Sequence, residues 1–186
     1  MFIIRLALKK SENSVDVDDI LLVTQNNYLV NLVNGDFVKV IAKGDVEYKA
    51  GLRFRNIIVE NIYNKDQFNT LLIEDVLYSS TTNITAAQHR NLLIDFSIRM
   101  REYNLTQYSP GFYDAMMSDP YLNALKAVYG YAVTCHKSQG GEWDEVFLYL
   151  NNKIQGIPRP GVYQWMYTAV TRARKKLHIK EEWFIK

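Results

Sequence analysis

The chain has 186 residues, 48% hydrophobic and 23% charged, with a net charge of +2. That length allows one good core, or one core with a small satellite module, burying roughly 70% of the unfolded surface. A charge so near zero excludes a nucleic-acid reading from charge alone, and a single cysteine excludes an internal disulfide framework and suits a reducing cytoplasm. The apolar opening Phe2-Ile3-Ile4-Arg5-Leu6-Ala7-Leu8 is interrupted by Arg5 and too short for a membrane span. No small-residue cleavage pattern follows it, so no signal peptide is expected.

The apolar start leaves a strand open as one reading, and Lys9 to Asp18 reads as a polar link. Ile20-Leu21-Leu22-Val23-Thr24 predicts a strand, opened by Asp18-Asp19 and closed by Gln25-Asn26-Asn27. Tyr28 to Asn34 leads into Asn34-Gly35-Asp36, a strong turn signal. The runs Phe37–Ile41, Leu52–Val59 and Phe68–Ile73 follow with Gly or Asn/Asp breaks between them, and strands so spaced suggest a small barrel. Thr85 or Asn83 caps a helix through about Tyr103, with Leu92, Leu93, Phe96, Met100 and Tyr103 on one face. Ser109-Pro110 opens a short helix to about Ser118. Asp119-Pro120 opens another through about Val128, which Gly130 ends. The polar faces of these helices carry no clustered chemistry and read as scaffold.

Tyr131-Ala132-Val133-Thr134 predicts a short strand, and Val146–Leu150 a continuously apolar one of the kind found in a covered sheet. Between them Cys135 to Glu145 is polar or small except for Trp143. A loop of that kind is kept when it has work to do. Gly140-Gly141 lets a ligand approach the backbone closely, and the His, Lys, Ser, Gln and Glu around it can contact sugars, phosphates or bases. After the two-proline loop Gly156–Gly161, a helix is predicted with Val162, Trp165, Met166, Ala169, Val170 and Ala173 as its buried stripe. Thr168 and Arg172 are four apart and share another face. Arg174, Lys175 and Lys176 read as a solvated basic helix end complementing the helix dipole. Lys176–Ile179 then reads as an edge strand and Trp183-Phe184-Ile185 as a docked tail.

Metal chemistry finds no support in these residues. Asp144-Glu145 precedes an apolar strand, whereas a magnesium-holding pair ends one, and nothing stands at metal-ligand spacing from His136. Cys135 as a nucleophile has only His136 beside it, and neighbours on a strand end point to opposite sides. His89 and His178 show no partners in the sequence.

The segment Thr134-Cys135-His136-Lys137-Ser138-Gln139-Gly140-Gly141-Glu142-Trp143-Asp144 resembles motif V of superfamily-1 DNA helicases of the UvrD and RecD-like kind. The family pattern is Thr-x-His-Lys-Ser/Ala-Gln-Gly-x-Glu-aromatic. At the family's spacing, Met166-Tyr167-Thr168-Ala169-Val170-Thr171-Arg172-Ala173-Arg174-Lys175-Lys176-Leu177 is similar to motif VI. The resemblance covers the C-terminal third by motif and reaches more loosely back to about Asp18. It implies an α/β fold: a partial RecA-like (P-loop NTPase-like) domain with an inserted small β-barrel and connecting helices. Residues 1–34 and 119–186 would be part of the second RecA-like helicase domain. The turn at Asn34-Gly35-Asp36 would lead into an SH3- or OB-like barrel at 35–80, and 81–118 would be the connecting helices.

The same resemblance implies roles for single residues. Arg172 would be the arginine finger, a guanidinium delivered across a domain boundary to charge building on transferring phosphoryl oxygens. Glu142 would reach the nucleotide's ribose or neighbouring groups, with Gln139, Gly140 and Gly141 shaping that nucleotide-binding loop. Thr134, His136 and Lys137 would face single-stranded DNA and donate to its phosphates.

A motor of this family also needs a P-loop, Gly-x-x-x-x-Gly-Lys-Ser/Thr. None of the nine glycines is followed by Lys-Ser or Lys-Thr, and no apolar strand ends in Asp-Glu. The expectation is therefore a C-terminal helicase piece, curtailed before Ile20, without the first motor domain. ATP with Mg2+ would bind only in the context of a complete motor, and no cofactor tightly to the chain alone. Its partners would be single-stranded DNA and the first RecA-like motor domain, in cis or in trans, with no membrane and a cytoplasmic location. The competing class is a non-catalytic module binding single-stranded nucleic acid or a protein. There Tyr48, Phe54 and Tyr63 could stack bases, although in so small a barrel about half of such aromatics must be core. A truncated gene product or an excised piece predicts the same fold.

Overall fold

Side-chain alternation governs the first two thirds of the chain. In the computed structural model, which describes residues 8, 10, 11, 13–79, 81–150, 154 and 156–179, β1 (Ile20–Val23), β2 (Phe37–Lys49), β3 (Leu52–Asn61), β4 (Gln67–Ile73) and β5 (Ala127–Tyr129) form one antiparallel sheet. Their order is β4-β3-β2-β1-β5. The expectations for residues 1–7 and for the Trp183–Ile185 tail lie outside the described residues.

Strand β3 feeds two apolar clusters. Ile57 and Val59 join Leu21, Val23, Val38, Val40, Leu72 and Leu125 in one, while Leu52 and Phe54 join Ile73, Val76, Leu92 and Ala124 in the other. It can do so because residues 52 and 54 have the opposite parity to 57 and 59 and so point to the other face of the strand. Its pairing with β2 carries register shifts between Val40 and Ala42 and between Lys43 and Val46, irregularities that sharpen local twist. A two-residue turn, Ala50-Gly51, joins β2 to β3 with both φ angles positive, at 52° and 78°. That handedness matches the twist of the flanking strands.

A 3-10 turn at Glu74–Tyr78 closes β4 and buries Glu74 at 1% exposure. The Glu74 carboxylate accepts from Arg55 Nε at 3.0 Å and from the Val15 backbone N–H at 3.0 Å. Helix α1 (Ala86–Glu102) starts where expected: Thr85 Oγ1 accepts from Gln88 N–H and Gln88 Oε1 accepts from Thr85 N–H, a full capping box. It buries Leu92 and Phe96. Helix α2 (Phe112–Ser118) follows Gly111, whose φ of 85° places it just outside the helix. Arg99 ties the helices to the next segment by donating to Asp95 at 2.8 Å and to Asp119 at 2.5 Å.

Two expected elements fail for the same reason. Asp119 does begin a helical turn, its Oδ1 accepting from Tyr121 and Leu122 N–H. Leu125 then donates to Leu71 O and its own carbonyl accepts from Ile73 N–H, so sheet pairing captures the backbone before a second turn can form. The predicted helix to Val128 is therefore a turn, an isolated parallel bridge at Leu72–Leu125, and β5. The strand expected at Tyr131–Thr134 is likewise absent, because β1 is filled by Ala127–Tyr129. The chain leaves the sheet at Gly130, where a Cβ would stand 3.1 Å from the Ile20 side chain.

The bridge at Leu125 brings the two ends of the sheet together at one point without a ladder. The sheet curls, but no closed barrel forms among the described residues. By contacts the chain divides after Ala132. The second unit is a βαβ arrangement: β6 (Trp143–Leu148), α3 (Gly161–Val170) and β7 (Ala173–Ile179), with β6 and β7 parallel. Among the described residues, Leu150, Ile154 and Ala169 are its buried apolar ones. The chain is thus a mixed α/β protein with a main sheet and few helices.

Strand β6 starts earlier and ends sooner than the apolar run 146–150 suggests. Strand β7 begins at Ala173, so Arg174–Lys176 lie on a strand and do not form a helix end. Helix α3 stops because Thr171 Oγ1 can donate back to Tyr167 O and the Arg172 carbonyl is taken by Trp143 N–H at 2.9 Å, starting the β6–β7 ladder. Only Ala169 of the predicted helix stripe is fully buried. Among the described residues, no helix is long and apolar enough to cross a membrane.

Candidate functional site

The loop before β6 is a chain of tight turns. Ser138 N–H donates to Thr134 O and Gly141 N–H to Ser138 O. The buried Ser138 hydroxyl donates to Cys135 O at 2.7 Å, pinning a 3-10 turn over His136–Ser138. Gly140 turns the chain with a φ of 82°, a conformation that suits glycine. The Thr134 hydroxyl also accepts from Lys137 N–H at 3.4 Å, and Thr134, His136, Lys137, Gln139 and Glu142 are exposed.

Arg172 stands between the end of α3 and the start of β7, and Glu142 immediately precedes β6, so both lie at the amino ends of the parallel pair. The half-buried Arg172 guanidinium donates from Nε to Thr168 O at 3.0 Å, from Nη2 to Thr171 Oγ1 at 3.0 Å, and from Nη1 to Gly141 O at 2.9 Å. The expected pairing of positions 168 and 172 is thus made through the Thr168 backbone. Among the described residues, no carboxylate lies within ion-pair distance of that guanidinium.

The surroundings assign the other charged groups. Asp144 pairs with Arg174 at 2.6 Å and Lys175 at 2.6 Å. The Lys175 hydrogen bond, with smaller help from Arg174, holds its carboxyl below the usual carboxylate range. Arg174 and Lys175 are therefore partners of Asp144. His178, without a partner in the sequence, accepts or donates to Glu145 at 3.0 Å and stacks on Phe147 with ring centroids 4.3 Å apart. The Cys135 thiol donates to Trp165 O, and burial pushes it above its ordinary value, with Arg172 opposing. That lowers its thiolate fraction, the form a nucleophile needs.

Residues 129–179 match the family profile described as the UvrD-like helicase C-terminal domain. This segment is similar to the C-terminal part of UvrD-like superfamily-1 helicases. The matched residues contain every site residue anticipated from the sequence: Thr134, His136, Lys137, Gln139, Gly140, Gly141, Glu142 and Arg172. No curated protein matches the chain. Within the UvrD-like segment one contact escaped the sequence reading. A Cβ on Gly141 would stand 2.9 Å from Cζ2 of Trp143 and closer still to the ring's outer edge, so the indole lies directly over this glycine. The legible signal was the aromatic residue after Glu142; its target was not legible.

Proposed function

We propose that the chain supplies the C-terminal motor part of an ATP-dependent superfamily-1 DNA helicase, in a second RecA-like domain, with Arg172 as the arginine finger. The observation that carries this reading is a half-buried guanidinium, free of carboxylate partners among the described residues, beside an exposed polar loop. A cation held this way by neutral acceptors keeps its full charge for an incoming anion. An open parallel sheet keeps its own ligand at the carboxyl ends of its strands. Arg172 and Glu142 sit at the amino ends, which suits action on a nucleotide cradled by another domain.

Gln139, Gly140, Gly141 and Glu142 would contact that nucleotide, while Thr134, His136 and Lys137 donate to the phosphates of single-stranded DNA. ATP and Mg2+ would bind productively only with the first motor domain, in cis or in trans, so the chain alone would not turn over ATP. The test mixes the chain with a separately expressed first motor domain of a superfamily-1 helicase and follows phosphate release. Restored turnover that falls about 1000-fold or more with Arg172→Ala is expected; restored turnover indifferent to that change refutes the assignment.

A second reading, a non-catalytic binding module, draws on Tyr48 at 76% and Tyr63 at 57% exposure, with Phe54 fully buried. Salt-dependent oligonucleotide binding lost on Tyr48→Ala and kept on Lys137→Ala would favour it.

A further inference from the structure

We infer that Trp143 is a positioning residue for the Arg172 guanidinium, acting through the Gly141 carbonyl. The inference rests on the reading of Arg172 as the cation of the site, and it adds what holds that cation in place.

The argument starts from which acceptors are independent of Arg172. Thr168 O and Thr171 Oγ1 belong to the turn that leads into Arg172 and move with it. Gly141 O lies 31 residues away in sequence and is the acceptor that fixes the guanidinium relative to the 134–142 loop. Gly141 is itself held on two sides. Its N–H donates to Ser138 O, and the Trp143 indole covers the face where a Cβ would be. The Trp143 backbone N–H also donates to the Arg172 carbonyl at 2.9 Å. Trp143 therefore grips both ends of the contact: main chain to main chain at Arg172, and ring to α-carbon at Gly141. Glycine is required at 141 for this close approach alone, since its φ lies outside the left-handed region.

The consequence is specific to the guanidinium. Removing the ring should free the Gly141 carbonyl without breaking the β6–β7 ladder, whose bonds are backbone. The test is the nitrogen–proton correlation spectrum of the arginine Nη–H groups in the full chain at low temperature, since Nη1 is the donor to Gly141 O, with the Arg172 signal assigned by its disappearance in Arg172→Lys. Wild type should show a slowly exchanging Arg172 Nη1–H. In Trp143→Ala its exchange should quicken tenfold or more, and Trp143→Phe should restore most of the protection. Backbone amides of Val146 and Leu177 serve as the control for an intact ladder.

Gly141→Ala supplies a second variant that keeps the indole and pushes it aside with one methyl. It should also quicken Arg172 exchange, which keeps the proposal falsifiable if Trp143→Ala does not fold. An Arg172 signal unmoved in Gly141→Ala, or in a folded Trp143→Ala, overturns the inference. Neither result depends on nucleotide. The reconstituted ATPase of Arg172→Ala judges the functional reading separately: if that activity persists, the arginine-finger role falls while the positioning contact can still stand.

Discussion

Arg55 and Glu74 show how a single buried charge is made tolerable. Glu74 is almost fully enclosed, and its carboxylate is met by the Arg55 guanidinium and by the Val15 N–H. Removing one partner of such a pair leaves an uncompensated buried charge, which costs about 3–5 kcal/mol. Arg55→Ala should therefore lower the urea midpoint by a corresponding amount, read by the fluorescence or circular dichroism of the full chain, and Arg55→Ala with Glu74→Leu should recover part of the loss. Asp144 makes the opposite case, an exposed carboxyl whose value is set by Lys175 and then Arg174. Its folded pKa is depressed, so its contribution is complete above the unfolded value of about 3.9 and is lost as pH falls through the lower folded value. Asp144→Asn should flatten the acid limb of stability in that window by lowering stability slightly at pH 7 and leaving it unchanged at pH 2, where wild-type Asp144 is itself protonated, a difference that denaturation at pH 2, 3, 4 and 7 measures. Neither pairing was legible in the sequence, since Glu74 lies 19 positions from Arg55 and Asp144 lies 31 from Lys175.

Local chemistry is strongest at the level of elements. The capping box at Thr85 and Gln88 marked the start of α1 because its four participating groups lie within one turn. The β2–β3 hairpin sets a different case. Ala50 adopts a φ of 52°, which costs a residue with a Cβ roughly 1–2 kcal/mol and which asparagine tolerates better. Ala50→Asn should raise stability by about 1 kcal/mol, visible as a higher melting temperature with an unchanged far-ultraviolet spectrum; a lower melting temperature would refute the strain. The segment 119–134 was misread because helix start signals at Asp119-Pro120 are local, whereas the claim of Leu71 and Ile73 on the Leu125 backbone comes from more than fifty residues away. Similarly, the run Arg174–Lys176 fitted a helix end until Trp143 took the Arg172 carbonyl and turned it into a strand.

The whole molecule divides its stability unevenly. Among the described residues, both large apolar clusters lie before Ala132, whereas the second unit, with its two-stranded parallel pair, buries Leu150, Ile154 and Ala169. Two strands with one helix fall short of what a parallel sheet needs to stand alone. A fragment ending at Ala132 should keep a cooperative urea transition, and one comprising 133–186 should show none; cooperative melting of the latter would contradict this. The sequence by itself determined the likeness of residues 129–179 to UvrD-like helicase C-terminal domains, the place of β1 to β4 along the chain and, to within the choice of Thr85 or Asn83, the cap of α1, because each is written in neighbouring residues or in a fixed spacing. Only the tertiary structure decided that Leu125 would pair instead of coil, that Asp144 would bind two cations, and that an indole would settle over Gly141 beside the Arg172 guanidinium. Those outcomes depend on which distant backbone or side chain arrives first at a shared partner, and chain order carries no record of that competition.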